Sequence, residues 1–197
     1  MKLILVRHGE TEWNRKAKLL SRTDISLNEI GIEQAKKTAN KLKIFNFDFI
    51  YTSNMKRTLE TANIINKFHN VSIIQTELLQ ERDYGDFEGV NYHKLDLREI
   101  REKNLYKNFN MESPSEFRNR IKYFLENKLS LKYNQTILIV SHSGTIKKIL
   151  YHLLKIKEPF DIYRKQFIKY NSSISTIEFD ENLNVINYDI ANNEHLI

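Results

Sequence analysis

Residues 3–14 read LILVRHGETEWN, an apolar run that ends abruptly in Arg7 and His8 with Gly9 behind them. The design returns near the other end of the chain, where ILIVSHSGT carries a second apolar run into His142 and then Gly144. A guanidinium presents a planar fork of donors to an oxyanion, and a neutral imidazole serves as nucleophile or base near neutral pH. Glycine beside such groups lets a backbone come close. A further arginine, Arg57, sits in YTSNMKRTLETA, again just beyond an apolar stretch. Two arginines and two histidines brought together would suit a phosphate, whose oxygens pair with arginine forks.

Those groups act together only if the fold converges them. Apolar, β-branched runs alternate with helical periodicity along the chain, which points to βαβ units and a mostly parallel sheet. Strands are expected at 3–6, 47–53, 71–75 and in TILIVSH at 136–142. Helices are expected at 28–42, with Ile32, Ala35, Ala39 and Leu42 inward, at 55–68 with Ser53 or Asn54 as cap, and at 145–154. Ser113-Pro114-Ser115-Glu116 is a capping box with proline at the first helical position, opening a helix that turns Phe117, Ile121, Phe124, Leu125 and Leu129 inward. Residues 173–179 and 184–190 form a hairpin around DENLN, and 90–112 reads as short helices in an inserted lid. The expected fold is a single α/β domain over residues 1–197, a three-layer α/β/α sandwich with a mostly parallel central sheet. In open sheets of this kind ligands bind beyond the carboxyl ends of the strands. Arg7, His8, Arg57 and His142 each follow a strand, so they should meet there, beside a helix N-terminus that favours anions.

Composition narrows the functional classes. The chain has 197 residues, 41% hydrophobic and 28% charged, as in an ordinary soluble domain with a sizeable core. Its apolar runs are far too short to span a bilayer, and the first ends in Arg-His-Gly-Glu, unlike a signal peptide; a cytoplasmic protein is expected. No cysteine is present, which removes disulfides, thiolate metal sites and a cysteine nucleophile. None of the six histidines forms the i, i+4 pair of a zinc protease, so neither metal nor cofactor is expected. The net charge of +6 comes from 31 basic and 25 acidic residues that alternate instead of clustering, without a nucleic-acid-binding motif. A modest positive field suits a small anionic substrate.

The order of these blocks resembles the histidine phosphatase superfamily, also called the phosphoglycerate-mutase-like family. LVRHGETEWN follows its signature almost letter for letter, and DISLNEIGIEQA, YTSNMKRTLETA, LLQERDYGDFEG, ESPSEFRNR, ILIVSHSGTI and NSSIST follow in the family's order. The resemblance implies that His8 attacks phosphorus and becomes a phosphohistidine. It implies that Arg7, Arg57 and His142 hold the phosphoryl oxygens, with contacts from Asn14 and Ser143. Glu81 would protonate the leaving oxygen and then activate water, although Asp83, Asp86 and Glu88 lie in the same loop. His69, His93, His152 and His195 match nothing and read as structural or exposed. The chain departs from the family at Ser21 and Ser26, where Gly and Pro are usual, at Met111 in place of Gly, and at Phe87 in place of Trp.

Three activities fit these blocks: a metal-independent phosphomonoester hydrolase, a cofactor-dependent phosphoglycerate mutase, and a phospho-ligand-binding relative without turnover. Mutases of the family carry a longer insertion with extra arginines. Here only residues 90–111 intervene, with Arg98 and Arg101, which favours hydrolysis of a small phosphorylated metabolite. Every catalytic position is filled, which disfavours the inactive relative. Oligomeric state leaves no mark in the sequence.

Overall fold

Side chains alternate along β1 (Lys2–Arg7) and so build both faces of a sheet at once. Leu3 and Leu5 enter one apolar cluster, with Phe117, Ile121 and Phe124 of α5 (Pro114–Asn127) and Ile146 and Ile149 of α6 (Ser143–Leu153). Ile4 and Val6 enter the other, with Ala39 and Leu42 of α2 (Glu29–Leu42) and Ala62 and Ile65 of α3 (Lys56–Asn66). Helices therefore cover both faces, giving the expected three layers. The computed structural model describes residues 1–129, 134–156 and 170–197.

The sheet also contains β2 (Phe49–Thr52), β3 (Ile73–Gln75), β4 (Thr136–Ser141), β5 (Ile174–Phe179) and β6 (Val185–Asn192), in the order β3-β2-β4-β1-β5-β6. The four strands β3, β2, β4 and β1 are parallel, while β5 runs antiparallel to both β1 and β6. Arg7 pairs with Ser141 and Thr52 with Val140, so β1, β2 and β4 end at one level. Arg7, Ser53 and His142 thereby emerge side by side.

Several local expectations needed revision. Ile32 is 37% exposed, and the inner face of α2 instead uses Gly31, Ala35, Thr38, Ala39 and Leu42. Met55 occupies the N-cap of α3 without a side-chain bond, so neither Ser53 nor Asn54 caps it. The third strand is confined to Ile73–Gln75. By contrast, the Ser113 capping box forms as the sequence predicts, with the Ser113 Oγ accepting from Glu116 N and the Glu116 carboxylate from Ser113 N.

Residues 90–112 form single helical turns and a short helix, α4 (Arg98–Glu102), around a small core of Ile100, Tyr106 and Met111. The insert is stitched to residues 17–19 through Leu19 N to Val90 O and Tyr92 N to Ala17 O.

Phe124 is fully buried and meets the Tyr51 ring edge-on at 5.4 Å. Phe124→Ala should destabilise the protein by about 3–5 kcal/mol through lost transfer energy and a residual cavity. Denaturant unfolding should show this as a lowered midpoint; an unchanged midpoint would mean that the α5 layer contributes little.

Candidate active site

His8 leaves the end of β1 in a fixed orientation. Its backbone N–H bonds Ser141 O at 2.9 Å, and its Nδ1 lies 2.7 Å from Gly9 O. A carbonyl can only accept, so Nδ1 carries the proton, and in the neutral ring the lone pair sits on Nε2. The ring is neutral near pH 7: burial holds its pKa well below 6.5, and the charges of Arg57 and Arg7 push it the same way. Asn171 supports this turn from behind, donating from Nδ2 to His8 O and to Asn14 Oδ1.

Gly9 has a different task from the one its place beside His8 implies. A Cβ there would collide with Gly31 O, and one on Gly31 would collide with Glu10 O. The two glycines let the loop after His8 lie directly on the first turn of α2. Asn28 Oδ1 caps Gly31 N there at 2.8 Å, and Glu10 N donates to Gln34.

A cavity of about 250 Å³ opens at the carboxyl ends of the strands. Of the residues singled out in the sequence, Arg7, His8, Asn14, Glu81 and Ser143 line it. Arg57 and His142 lie behind this wall, Arg57 with no exposed surface, and the His142 ring centroid is 5.3 Å from that of His8. Arg57 donates to Thr23 O at 3.0 Å and Ser21 O at 2.8 Å, while its Nε is buried without a partner among the described residues. Burial pushes the pKa of both Arg7 and Arg57 down to about 10, opposed chiefly by Glu81 in each case. Both remain cationic at neutral pH.

His142 is likewise held well below the ordinary histidine pKa, by burial and then by Arg57, His8 and Arg7. Its Nε2 lies 2.9 Å from Ser53 Oγ, which lies 2.7 Å from Thr58 Oγ1. Its Nδ1 is buried without a partner among the described residues. When Ser53 donates to Nε2, the imidazole proton must reside on Nδ1, leaving a donor that nothing described satisfies. Ser53 thus orients the ring instead of capping α3.

Glu81 is the one acidic residue of its loop that lines the cavity. Its oxygens accept from Arg82 N and Gly144 N, each at 2.8 Å. A Cβ on residue 144 would strike the Glu81 carboxylate, so a side chain there would displace it. The alternatives in the loop are committed elsewhere. Asp83 accepts from Gly85 N, Asp86 from Asn110, and Glu88 from both Ser21 N and Thr23 N. The loop itself is anchored by Arg120, which bonds Leu78 O, Gln80 O and the Glu112 carboxylate, and by Ser141 Oγ to Leu79 O.

Asn14 closes a capping box with Thr11, and its Oδ1 accepts from Thr11 N and Asn171 Nδ2. With its oxygen engaged, the side chain keeps its Nδ2 donors for the cavity that it lines. The insert arginines do not line this cavity: Arg98 pairs with Asp96 at 2.6 Å, and both Arg98 and Arg101 face a neighbouring hollow. The cavity also contains Lys18, Arg82, Tyr92, Lys147 and Lys148, which sequence reasoning passed over. For the two α6 lysines a signal existed, since Ser143 and Lys147, and likewise Gly144 and Lys148, stand at i, i+4 on the helix. Arg82 and Tyr92 lie in irregular chain, where periodicity says nothing. Among the described residues no cluster of His, Asp and Glu could hold a metal ion, and no helix is long and apolar enough to cross a membrane.

A cation-rich cavity at the strand ends of an α/β sheet, with a neutral imidazole in its wall, suits an anionic ligand. The family profile described as histidine phosphatase superfamily (branch 1) matches residues 3–188, and the chain belongs to that family. It is 36% identical over 193 residues to the uncharacterized phosphatase PhoE of Bacillus subtilis, covering 98% of this chain and 95% of the relative. It is 30% identical to the 2,3-bisphosphoglycerate-dependent phosphoglycerate mutase 2 of Bacteroides thetaiotaomicron, covering 99% and 94%. The crystal structure of a phosphoserine phosphatase from Entamoeba histolytica, in complex with 3-phosphoglyceric acid, superposes with a TM-score of 0.81 at 31% identity, covering 100% and 99%.

Ser53→Ala should leave His142 Nε2 buried and unsatisfied, at a cost of about 1–3 kcal/mol. Denaturant unfolding measures the loss, and ¹⁵N histidine spectra should show His142 leaving the Nδ1–H form. Unchanged stability together with an unchanged spectrum would remove Ser53 from the site.

Proposed function

We propose that the protein is a phosphomonoester hydrolase acting on a small phosphorylated metabolite through a phosphohistidine at His8. The observation that carries this reading is the His8 geometry: a neutral ring, Nδ1–H committed to Gly9 O, and Nε2 left with its lone pair in a wall shared with Arg7 and Glu81.

The chemistry follows from that placement. Nε2 of His8 forms a bond to phosphorus as the bond from phosphorus to the ester oxygen breaks. Arg7 and Arg57 neutralise the phosphoryl oxygens, and Nδ1–H of His142 and the Asn14 amide donate to them, with Ser143 at the N-terminus of α6. Such charge stabilisation in a desolvated site is the main requirement of phosphoryl transfer and needs no metal ion. Glu81 takes up the proton brought in by a phosphomonoester monoanion and passes it to the departing alkoxide, then takes one from the water that cleaves the phosphohistidine and regenerates free His8. The reading sets the enzyme in the cytoplasm, among small phosphorylated metabolites.

The mutase reading keeps the first half-reaction and differs in the second acceptor, an alcohol instead of water. The match to a mutase makes it the competing activity. The insert favours hydrolysis, because its arginines lie outside the cavity and Arg98 is held by Asp96.

Brief exposure to a labelled phosphate donor should give an acid-labile, alkali-stable adduct on the wild type and none on His8→Ala. Label on serine, or full turnover in the variant, would overturn the assignment. A metal-free assay with 3-phosphoglycerate plus 2,3-bisphosphoglycerate separates the activities: phosphate release should outrun isomerisation.

Glu81→Gln tests the acid. General acid catalysis is typically worth about 10²–10⁴ in rate, and it matters only for a poor leaving group. The variant should lose a factor in that range in the phosphoenzyme burst from alkyl phosphates, and far less from p-nitrophenyl phosphate, whose phenolate leaves unaided. Equal losses for both substrates would show that Glu81 acts on binding or folding.

A further inference from the structure

Glu81 reaches the cavity from irregular chain between the single turn Glu77–Leu79 and the insert. A proton is transferred well only from a group held in place, so something must hold this stretch. Arg120 of α5 supplies much of that hold. Its guanidinium has five N–H donors, and all five are used on two segments. Nη1 donates to Leu78 O at 2.7 Å and to Gln80 O at 3.0 Å, and Nη2 donates to Glu81 O at 3.3 Å. The remaining donors, on Nε and Nη2, meet the two carboxylate oxygens of Glu112, each at 2.8 Å. That is a bidentate pair, with only 15% and 12% of the two side chains exposed.

Glu112, at the end of the insert, works on the other side of Glu81. Its Oε2 accepts from Asp83 N at 3.2 Å, its N–H donates to Asp83 O at 3.0 Å, and its carbonyl accepts from Arg82 Nε at 2.8 Å. Upstream of Glu81 the loop has independent ties, Ser141 Oγ to Leu79 O and Thr145 Oγ1 to Gln80 O, each at 2.7 Å. The carbonyl of Glu81 and the two residues after it rest instead on Arg120 and Glu112. The Glu81 carboxylate is placed in turn by Gly144 N and Arg82 N, and Arg82 belongs to the stretch that Glu112 holds. The ion pair thus has a route to the reacting carboxylate, although neither of its members lines the cavity.

We propose that Arg120 and Glu112 are a positioning pair for the general acid, so that α5 and the end of the insert together set where Glu81 delivers its proton. This rests on the reading that Glu81 protonates the leaving oxygen. The pair itself touches no substrate. A displaced Glu81 leaves phosphate binding and the attack by His8 in place, and it fails only where the departing oxygen needs a proton.

The test is the phosphoenzyme burst in Arg120→Lys, with 3-phosphoglycerate as the alkyl ester and p-nitrophenyl phosphate as the aryl ester. Lysine keeps the charge but has no planar fork, so it cannot span the loop carbonyls and the Glu112 carboxylate at once. With 3-phosphoglycerate the burst rate should fall by about 10²-fold, the loss expected of a misplacement of about 1 Å, and with p-nitrophenyl phosphate far less. Added to Glu81→Gln, the Arg120→Lys change should cost nothing more on 3-phosphoglycerate, because the group it positions is already disabled. Glu112→Gln should show the same split between the esters, and it carries the test should Arg120→Lys not fold. An equal loss for both esters, or no loss for either, overturns the positioning pair, since Arg120 would then serve the fold alone. Full additivity with Glu81→Gln overturns it as well. Glu81→Gln by itself separates the two readings. No split between the esters there would end the acid assignment and the positioning pair with it, whereas a split there without one in Arg120→Lys removes the positioning pair alone.

Discussion

Two guanidinium groups buried beside two imidazoles are the constraint around which this molecule is organised. A charge removed from water is expensive unless it is paired or hydrogen-bonded. Arg57 has no exposed surface, and its neighbour Arg7 is partly buried where it lines the cavity. The answer is distributed: Ser21 O and Thr23 O accept from Arg57, while Glu81, Asp24 and Glu88 supply negative potential. Glu88 in turn holds Ser21 N and Thr23 N, so the carbonyls that receive Arg57 are themselves fixed. Burial, and after it the charge of the arginines, holds both histidines neutral. The positive potential that adds to this effect also makes the cavity receptive to an anion.

The sheet and its helices were legible because their signals are local and periodic. The apolar runs of β1 and β4, the Ser113 cap and the apolar face of α5 all require only neighbouring residues. The errors arise where tertiary context decides. Ile32 continues the apolar pattern of α2, yet the Gly9–Gly31 contact turns that helix so that Gly31 and Thr38 face inward and Ile32 outward. Ser53 resembles a cap but hydrogen-bonds a histidine 89 positions away. Glu81 could not be told from Asp83, Asp86 and Glu88 by composition. The distinction lies in Gly144 N, which donates across 63 positions, and in Arg120, which holds the loop from α5.

The departures from the family pattern have compensations that only packing reveals. Ser21, where glycine is usual, is fully buried, and its hydroxyl accepts from Tyr84 N while its carbonyl receives Arg57. Met111 fills the core of the insert with Ile100 and Tyr106, a volume that glycine would leave empty. Phe87, in place of a tryptophan, meets Phe109 at a tilt with ring centroids 5.2 Å apart. Ser21 touches Arg57 through that carbonyl, while Met111 and Phe87 pack within the small core of the insert.

The two ends of the cavity therefore rest on parts of the molecule with different mechanical character. The end holding His8 is built on strand termini whose register is locked by β1–β4 pairing and by carbonyls at fixed distances. Positioning within a fraction of an ångström is what phosphoryl transfer demands, and a paired sheet supplies it. The opposite end is formed by the middle of α6 together with Leu19 and Tyr92, where the insert joins residues 17–19 through a few backbone bonds and a small separate core. Side chains there can vary without disturbing the sheet, so substrate preference can change while the reacting groups stay where the strands place them. Such a division suits a family whose relatives are named for different phosphorylated substrates.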